Sequence, residues 1–560
     1  MPSADSTDIR ALPFTLRDGS DNAAERFARQ SATIETASPR QLAALLPELA
    51  ALADGHRAAG AKEDAAAFGR IVARVSLLAR RIRSRAMALA ATTADWLDEG
   101  AMEALARLAV WSHALTRLRY PADEAKVRNG KTGTASAGSP RDPFSTLASQ
   151  ATADWLATLA VAGNDAALAH WAEGMVMAPP PDPDHLAMAA APLFRRRDFS
   201  PTAVFPRLFD ALDHPAAAAV TLDLANYVTR SGMVEAHPAT DRSRSLTELL
   251  AAVTRRLEQL QRAPPEEAAH RQVMDGVTLA VSLCDALALI GDDAATATLR
   301  GVLSLTHRRL RVEAAAALAK LADKEGPAAL AELAAEPVIR LRAIHYAQEL
   351  GLLDEIPAEC RTDLARAEGA LAARLAEPTC FGFPPQGIEL VSRRTLMWPG
   401  FDEAVECFLL KYTYELPGGS FQNLGIAGPL THATAADLTQ LSEQDTLALF
   451  AGFSTEHEAV QLFEPEEAPA SFQKEVQRVL ADLAAAGLEN PRPALIGRFF
   501  ERVVVVAETA EEGQTGVVAA DYTQRRFWPK TSDRPLSSHE AWWIHIGREL
   551  LAAFNEGFSQ

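Results

Sequence analysis

The feature that most constrains this chain is an internal repeat near its middle. Leu310-Arg-Val-Glu-Ala-Ala-Ala-Ala-Leu-Ala-Lys-Leu321 aligns with Ile339-Arg-Leu-Arg-Ala-Ile-His-Tyr-Ala-Gln-Glu-Leu350 at an offset of 29 residues. Leu310 falls on Ile339, Arg311 on Arg340, Ala314 on Ala343 and Leu321 on Leu350. Between them, Pro327-Ala-Ala-Leu-Ala-Glu-Leu-Ala-Ala reads as a shorter helix. Its proline stands at the first position, where the missing N–H is harmless. A helix–turn–helix unit of this kind cannot bury its apolar stripe alone and must stack on neighbours. Leu310, Ala314, Leu318 and Leu321 are therefore expected to be buried, with their counterparts Ile339, Ala343, Ala347 and Leu350.

In spacing and pattern this unit resembles a HEAT-like helical repeat, closely over 292–351 and more loosely over 144–376. The resemblance implies an α-solenoid whose concave face, lined by the second helix of each unit, receives a protein partner. The family's motif contains no catalytic residue to carry over. The paired His and Glu at repeat spacing of the metal-binding hydroxylases built on HEAT repeats do not occur here.

The expected organisation has five parts. Residues 1–36 are polar and weakly patterned, a flexible tail. From Pro39 the leucines at 42, 45, 46, 49 and 52 recur at helical spacing, so 37–120 forms an N-terminal helical subdomain. Residues 121–143 have linker composition. Helices then run over 144–376, and 377–560 is an acidic α+β domain with a mostly antiparallel sheet. In that last part Phe408, Leu410, Tyr412, Tyr414 and Leu416 alternate as one face of a strand. Pro417-Gly418-Gly419 turns the chain back into an antiparallel partner. Arg502-Val-Val-Val-Val-Ala507 is the continuous apolar run of a strand covered on both faces, and Thr515–Tyr522 reads as another strand. Ser442-x-x-Asp445 and Ser537-x-x-Glu540 read as capping boxes that open helices.

Charge narrows the partners. The net charge is −18. Residues 376–560 hold 13 Lys+Arg against 26 Asp+Glu, which leaves −5 for the first 375. The acidic C-terminal part makes a poor nucleic-acid surface. Four scattered cysteines without a Cys-x-x-Cys pair point to reduced, buried thiols and a cytoplasmic setting. The start carries no apolar leader. The longest uncharged run, Leu416–Ala436, is broken by Gly and Pro and is no membrane helix. No membrane partner and no cofactor are expected.

Candidate residues follow from these bounds. Arg70, Arg74, Arg81 and Arg85 fall on one helix face, and Arg308 and Arg309 form a second basic cluster; these are the candidate partner-binding groups. On a helix, such arginines also serve as a solvated face whose stems cover apolar surface. Tyr412, Tyr414, His432 and His457 are the candidate residues for a small-ligand or enzymatic site in the C-terminal domain. The glycine-rich turn Gly425–Pro429 lacks the Lys-Ser/Thr of a phosphate loop, and no nucleophile elbow, zinc-helix or dinucleotide motif occurs. The reading that results is a non-catalytic cytosolic scaffold or adaptor, with the C-terminal domain as a second recognition or capping module. An enzyme or small-ligand binder is the first alternative and a nucleic-acid binder using basic helix faces the second.

Overall fold

A computed structural model describes residues 9, 12–16, 23–58, 65–93, 96–116, 143–262 and 267–556. The expected linker 121–143 lies, apart from its last residue, outside the described residues. The chain divides into two compact units, Met1–Pro327 and Ala328–Gln560.

The first unit is helical. It contains α1 (Leu12–Leu16), α2 (Ala23–Ala32), α3 (Pro39–Ala58), α4 (Ala65–Ala90), α5 (Glu99–Leu115), α6 (Pro143–Ala162), α7 (Asp165–Met177) and α8 (Pro183–Ala190). Then come α9 (Pro201–Val204), α10 (Pro215–Arg230), α11 (Ser243–Arg262), α12 (Glu267–Ile290), α13 (Thr296–Leu303) and α14 (Arg308–Lys320), while α15 (Glu325–Leu333) spans the division. One apolar core runs from Leu12 to Leu318, and α6 packs on both α4 and α5. The N-terminal helices and those after residue 143 therefore share a core, instead of forming a separate subdomain. The segment expected as a loose tail is also part of it: Leu12, Phe27 and Ile34 are buried. Short polar sequence hid them, because the large side chains that need cover there, Ile9, Leu12, Leu16, Phe27 and Ile34, are widely spaced.

Within 144–376 the helical run is broken at Pro206, which cannot donate to a helical ladder; α9 ends at Val204 and a 3-10 turn covers Arg207–Asp213. His270–Ile290 within α12 is long and apolar enough to cross a membrane by length and composition, and half of that window is buried in the unit. In the repeat, Leu310, Ala314 and Leu318 of α14 are buried while Leu321 is half-buried.

The second unit opens with α16 (Pro337–Glu349), in which Ile339, Ala343 and Ala347 are buried and Leu350 just beyond is half-buried. Buried Arg340 ties this helix to its neighbours. Its Nε donates to the Ala334 carbonyl at 2.9 Å and Nη1 to that of Ala365 at 2.7 Å. Next comes α17 (Asp363–Leu375), then a four-stranded antiparallel sheet of β1 (Gly387–Met397), β2 (Ala404–Leu416), β3 (Gly419–Ala427) and β4 (Thr431–His432) in that order. After α18 (Glu443–Phe453), a second sheet forms from β5 (Val460–Phe463), β6 (Glu489–Phe499), β7 (Arg502–Glu511), β8 (Gln514–Ala520) and β9 (Arg525–Pro529), again in order. The helix α19 (Gln473–Ala485) precedes β6, and α20 (Ser538–Phe554) closes the chain.

These elements stack in five layers. Leu371 and Leu375 of α17 cover Phe408, Leu410, Tyr412 and Tyr414 on one face of the first sheet. Its other face, with Cys407, Leu409 and Ile426, meets α18 and α20. The same two helices meet Val504, Val506 and Ala519 of the second sheet. Val476 and Val479 of α19 cover the outer face of that sheet, Val503, Val505 and Ala507.

The unit thus contains one α-β-β-β-β-α arrangement twice. The central hairpins coincide at a constant shift of 95 residues. Leu410 pairs with Gly425 and Leu416 with Gly419 in the first half; Val505 pairs with Ala520 and Glu511 with Gln514 in the second. The closing helices match at the same shift. Ser442 and Ser537 cap them, and Gly452 and Gly547 stand at equivalent positions. A Cβ at Gly452 would overlap the Trp543 carbonyl, and one at Gly547 the Ala448 carbonyl. The two glycines let α18 and α20 touch backbone to backbone.

Candidate functional site

A cleft of about 850 Å³ lies in the first unit. Three chain segments build it. The end of α4 supplies Arg83 and Met87, and the turn beyond it supplies Thr92, Thr93 and Trp96. The last turns of α6 supply Ala157 and Val161, and Gly163 ends that helix at φ 67, the left-handed conformation that favours glycine at a helix end. The end of α8 and the turn after it bring Met188, Pro192, Arg195 and Arg196.

Gly163 has a second duty. A Cβ there would overlap the Arg196 guanidinium, so the glycine makes the seat in which that group lies. Arg196 is locked in place by donating from Nη1 to the Val161 carbonyl at 3.2 Å and from Nε to Asp198 at 2.8 Å. Arg195 beside it is exposed and has no hydrogen bond or ion pair among the described residues. Arg83 is held from behind: its Nε lies 2.9 Å from Oδ1 of Asp154, whose side chain is fully buried in α6. Burial pushes the Asp154 carboxyl up to about 6, against the opposing pull of Arg83 and Arg80. The Trp96 indole is only 5% exposed, yet among the described residues its Nε1–H has no acceptor. Buried donors of this kind are nearly always paired, and the indoles of Trp155 and Trp171 are, to Ser112 and to the Ala189 carbonyl.

The cleft therefore combines three guanidinium groups, one unsatisfied indole donor and an apolar wall of Met87, Val161, Met188 and Pro192. Among the described residues its lining contains no His, Cys, Ser, Tyr, Lys or Glu, and the carboxylate of Asp198 there is engaged by Arg196. Such a surface can hold an anionic group with an apolar body attached.

The residues singled out in the sequence fall elsewhere. Three of the four arginines on α4 hold the N-terminal segment. Arg74 is buried, donates to the Thr15 carbonyl at 2.8 Å and lies over the Phe27 ring. Arg81 pairs with Glu35 at 3.7 Å, and Arg85 donates to the Ala37 carbonyl at 2.8 Å. Arg70 is exposed. Arg308 and Arg309 are exposed on the first turn of α14. Arg83, on the opposite side of α4 from the stripe, is the arginine that reaches the cleft.

In the second unit Tyr412 and Tyr414 are fully buried under α17, not against the Trp542–Trp543 helix, which packs on the opposite face of the sheet. Tyr412 donates its hydroxyl to the Ala433 carbonyl, and Tyr414 donates to that of Phe383 at 2.9 Å. Leu416, expected on the same face, is exposed where the strand ends. His432 is half-buried on β4; burial and the nearby Arg374 hold its pKa below the usual value. His457 is exposed beyond the end of α18, with Nδ1 accepting the Ala459 N–H at 3.0 Å. Among the described residues no bond or ring contact joins the two histidines, and no group of three His, Cys, Asp or Glu is placed to hold a metal ion. Cys407 is pushed up to about 12, by burial and then by Glu406, and stays a thiol.

The sequence held no signal for the cleft. Its arginines come from one helix and a turn more than a hundred residues apart, and neither spacing nor charge runs bring them together. No family model, curated protein or solved structure matches the chain.

Proposed function

We propose that the protein is a non-catalytic cytosolic adaptor whose HEAT-like helical solenoid receives a protein partner. The cleft of Arg83, Arg195 and Arg196 anchors that partner by an acidic side chain or terminal carboxylate followed by apolar residues. The C-terminal unit acts as a second recognition or capping module. One observation carries the reading: a chain of net charge −18 gathers three guanidinium groups and an unpaired indole N–H around one apolar hollow. Guanidinium donors in a fixed fork match carboxylates.

A test uses Arg195→Glu, which removes a side chain without a partner and so leaves the melting temperature unchanged. Wild type and variant are compared as baits in the native host, and captured proteins are assayed with purified components at rising salt. The expected partner binds wild type, weakens with salt and loses at least about tenfold in affinity to the variant, the effect of one charge-assisted contact. A partner bound equally by both proteins would sink the anchor. A cleft of this size also suits a small amphiphilic anion; native mass spectrometry that finds such a molecule, lost from Arg195→Glu, would turn the reading to ligand binding.

A further inference from the structure

The duplication in the second unit exposes a vacancy. In the second half, β5 pairs antiparallel with β6, Val460 to Phe499 and Phe463 to Ile496. The counterpart of β6 in the first half is β1. Phe499, Arg498 and Gly497 face Arg502, Val503 and Val504 of β7. Arg394, Arg393 and Ser392 face Cys407, Phe408 and Leu409 of β2, which are the same β positions shifted by 95. The seat filled by β5 therefore corresponds to Leu390–Arg394, with Val391 as an extra, bulged residue. Among the described residues no strand occupies it; β1 is an edge strand, with Leu390 42% and Val391 49% exposed.

Backbone polarity shows which main-chain groups this edge presents. At one end of the strand the Asn555 side chain imitates a neighbouring strand: Met397 donates its N–H to Oδ1 at 2.8 Å, and Nδ2 donates to the Met397 carbonyl at 3.1 Å. Both main-chain groups of Met397 thus point away from β2. Antiparallel strands alternate such outward residues with inward ones, so those of Thr395 and Arg393 point outward as well. Asn555 satisfies one residue of the edge and leaves these two.

We propose that Leu390–Thr395 is a strand-addition site that takes an extended segment of a protein partner, antiparallel to β1. Main-chain hydrogen bonds supply the attachment. The occupant has the chemistry of β5, Val-Gln-Leu-Phe, with a polar side chain opposite Arg393 as Gln461 stands opposite Arg498. A second copy of β1 is the poorer occupant. Self-pairing centred on Arg393 or on Arg394 sets that arginine against its own copy, and like charges opposite are destabilising.

The test uses the full chain and a synthetic peptide of its own residues 459–466. Hydrogen exchange of the Arg393 and Thr395 amides should slow at least tenfold with saturating peptide, while those of β6 stay as they were. Thr395→Pro removes an outward N–H but no bond to β2, a placement that edge strands tolerate; it should fold and lose the protection. If that variant does not fold, a peptide with proline in place of its third residue-pair leucine, Leu462, makes the same test on the unaltered protein. No slowing at 393 and 395, slowing at β6 instead, or protection that survives proline would overturn the proposal. So would a wild-type dimer that Thr395→Pro abolishes, which would assign the edge to a second copy.

Discussion

Two aspartates, one in each unit, have side chains wholly withdrawn from water and opposite fates. Asp521, at the turn between β8 and β9, is saturated. Its Oδ1 accepts the Thr523 N–H and hydroxyl, each at 2.6 Å, and the Gln524 N–H at 2.9 Å. Oδ2 accepts from Arg502 at 2.9 Å, with His545 Nε2 3.7 Å away. Burial alone would raise this carboxyl, but those partners hold it far below the ordinary range. Arg502 continues to Glu549 at 2.6 Å, so the network fastens α20 to the second sheet. Among the described residues Asp154 has no hydrogen bond, only the charges of Arg83 and Arg80, and rises to about 6. A carboxylate with every lone pair used is explained by the fold. One left short, beside a hollow lined with further guanidinium groups and an unpaired indole, is not. The contrast is why the cleft, and not the more charged Asp521 cluster, is the candidate site.

The largest expected effect breaks the saturated side. Asp521→Ala leaves the Arg502 guanidinium, two backbone N–H groups and a hydroxyl without their acceptor. Removing one partner of a buried ionic network costs about 3–5 kcal/mol. Chemical denaturation should show a loss of that size, with α20 and the second sheet the first region to exchange. A loss under about 1 kcal/mol would mean that water replaces the carboxylate, and the comparison would collapse.

Next in size is a dependence on pH. Because folding raises the Asp154 pKa, the native state binds this proton more tightly than the unfolded chain does. Stability is therefore lost as pH rises from the ordinary value of 3.8 through about 6, by about 2–3 kcal/mol. Asp521 runs the other way: its contribution is present above the ordinary aspartate range and is lost as pH falls toward its depressed folded value. Asp154→Asn should abolish the first slope only. Wild type should thus lose ground to this variant between pH 5 and 7.5, in denaturant midpoints measured side by side. Parallel curves would show that Arg83 fully compensates the buried charge.

Much of this architecture was legible, and the misses have physical causes. The alternation of Phe408 to Tyr414 and the run Val503–Val506 announced β2 and β7, because a strand buried on one or both faces must write its pattern in apolar residues. The strand β1 was not readable, since an exposed edge buries only Leu396 and so carries Glu, Ser and Arg. In β6, Pro491 and Pro493 argue against a strand, and they are accommodated where the register slips, beyond the reach of β5. The duplication was invisible because the halves meet the same geometry with different chemistry: Tyr412 and Thr413 in one, Ala507 and Glu508 in the other. The matches that survive, Ser442 with Ser537 and Gly452 with Gly547, are those that backbone geometry demands. The cleft lay beyond the sequence for a different reason. A lone unsatisfied donor is defined by what fails to come near it.

The smallest expected effect tests that definition directly. Trp171 and Trp96 are both buried tryptophans of the first unit, and one feature separates them. Trp171 donates to the Ala189 carbonyl at 3.1 Å, whereas Trp96 donates to nothing. Replacing either by Phe removes the same ring area, so the loss from packing is common to the pair. Trp171→Phe also leaves a buried carbonyl without its donor, at about 1 kcal/mol. Trp96→Phe removes a group that was already unpaired and relieves its desolvation. Trp171→Phe should therefore be the less stable variant by about 1 kcal/mol or slightly more. Trp96→Phe, though better tolerated by the fold, should weaken capture of the partner that Arg195→Glu loses. Equal melting temperatures for the two variants would mean that the Trp96 indole is satisfied in solution, and its claim to await a ligand would fall with it.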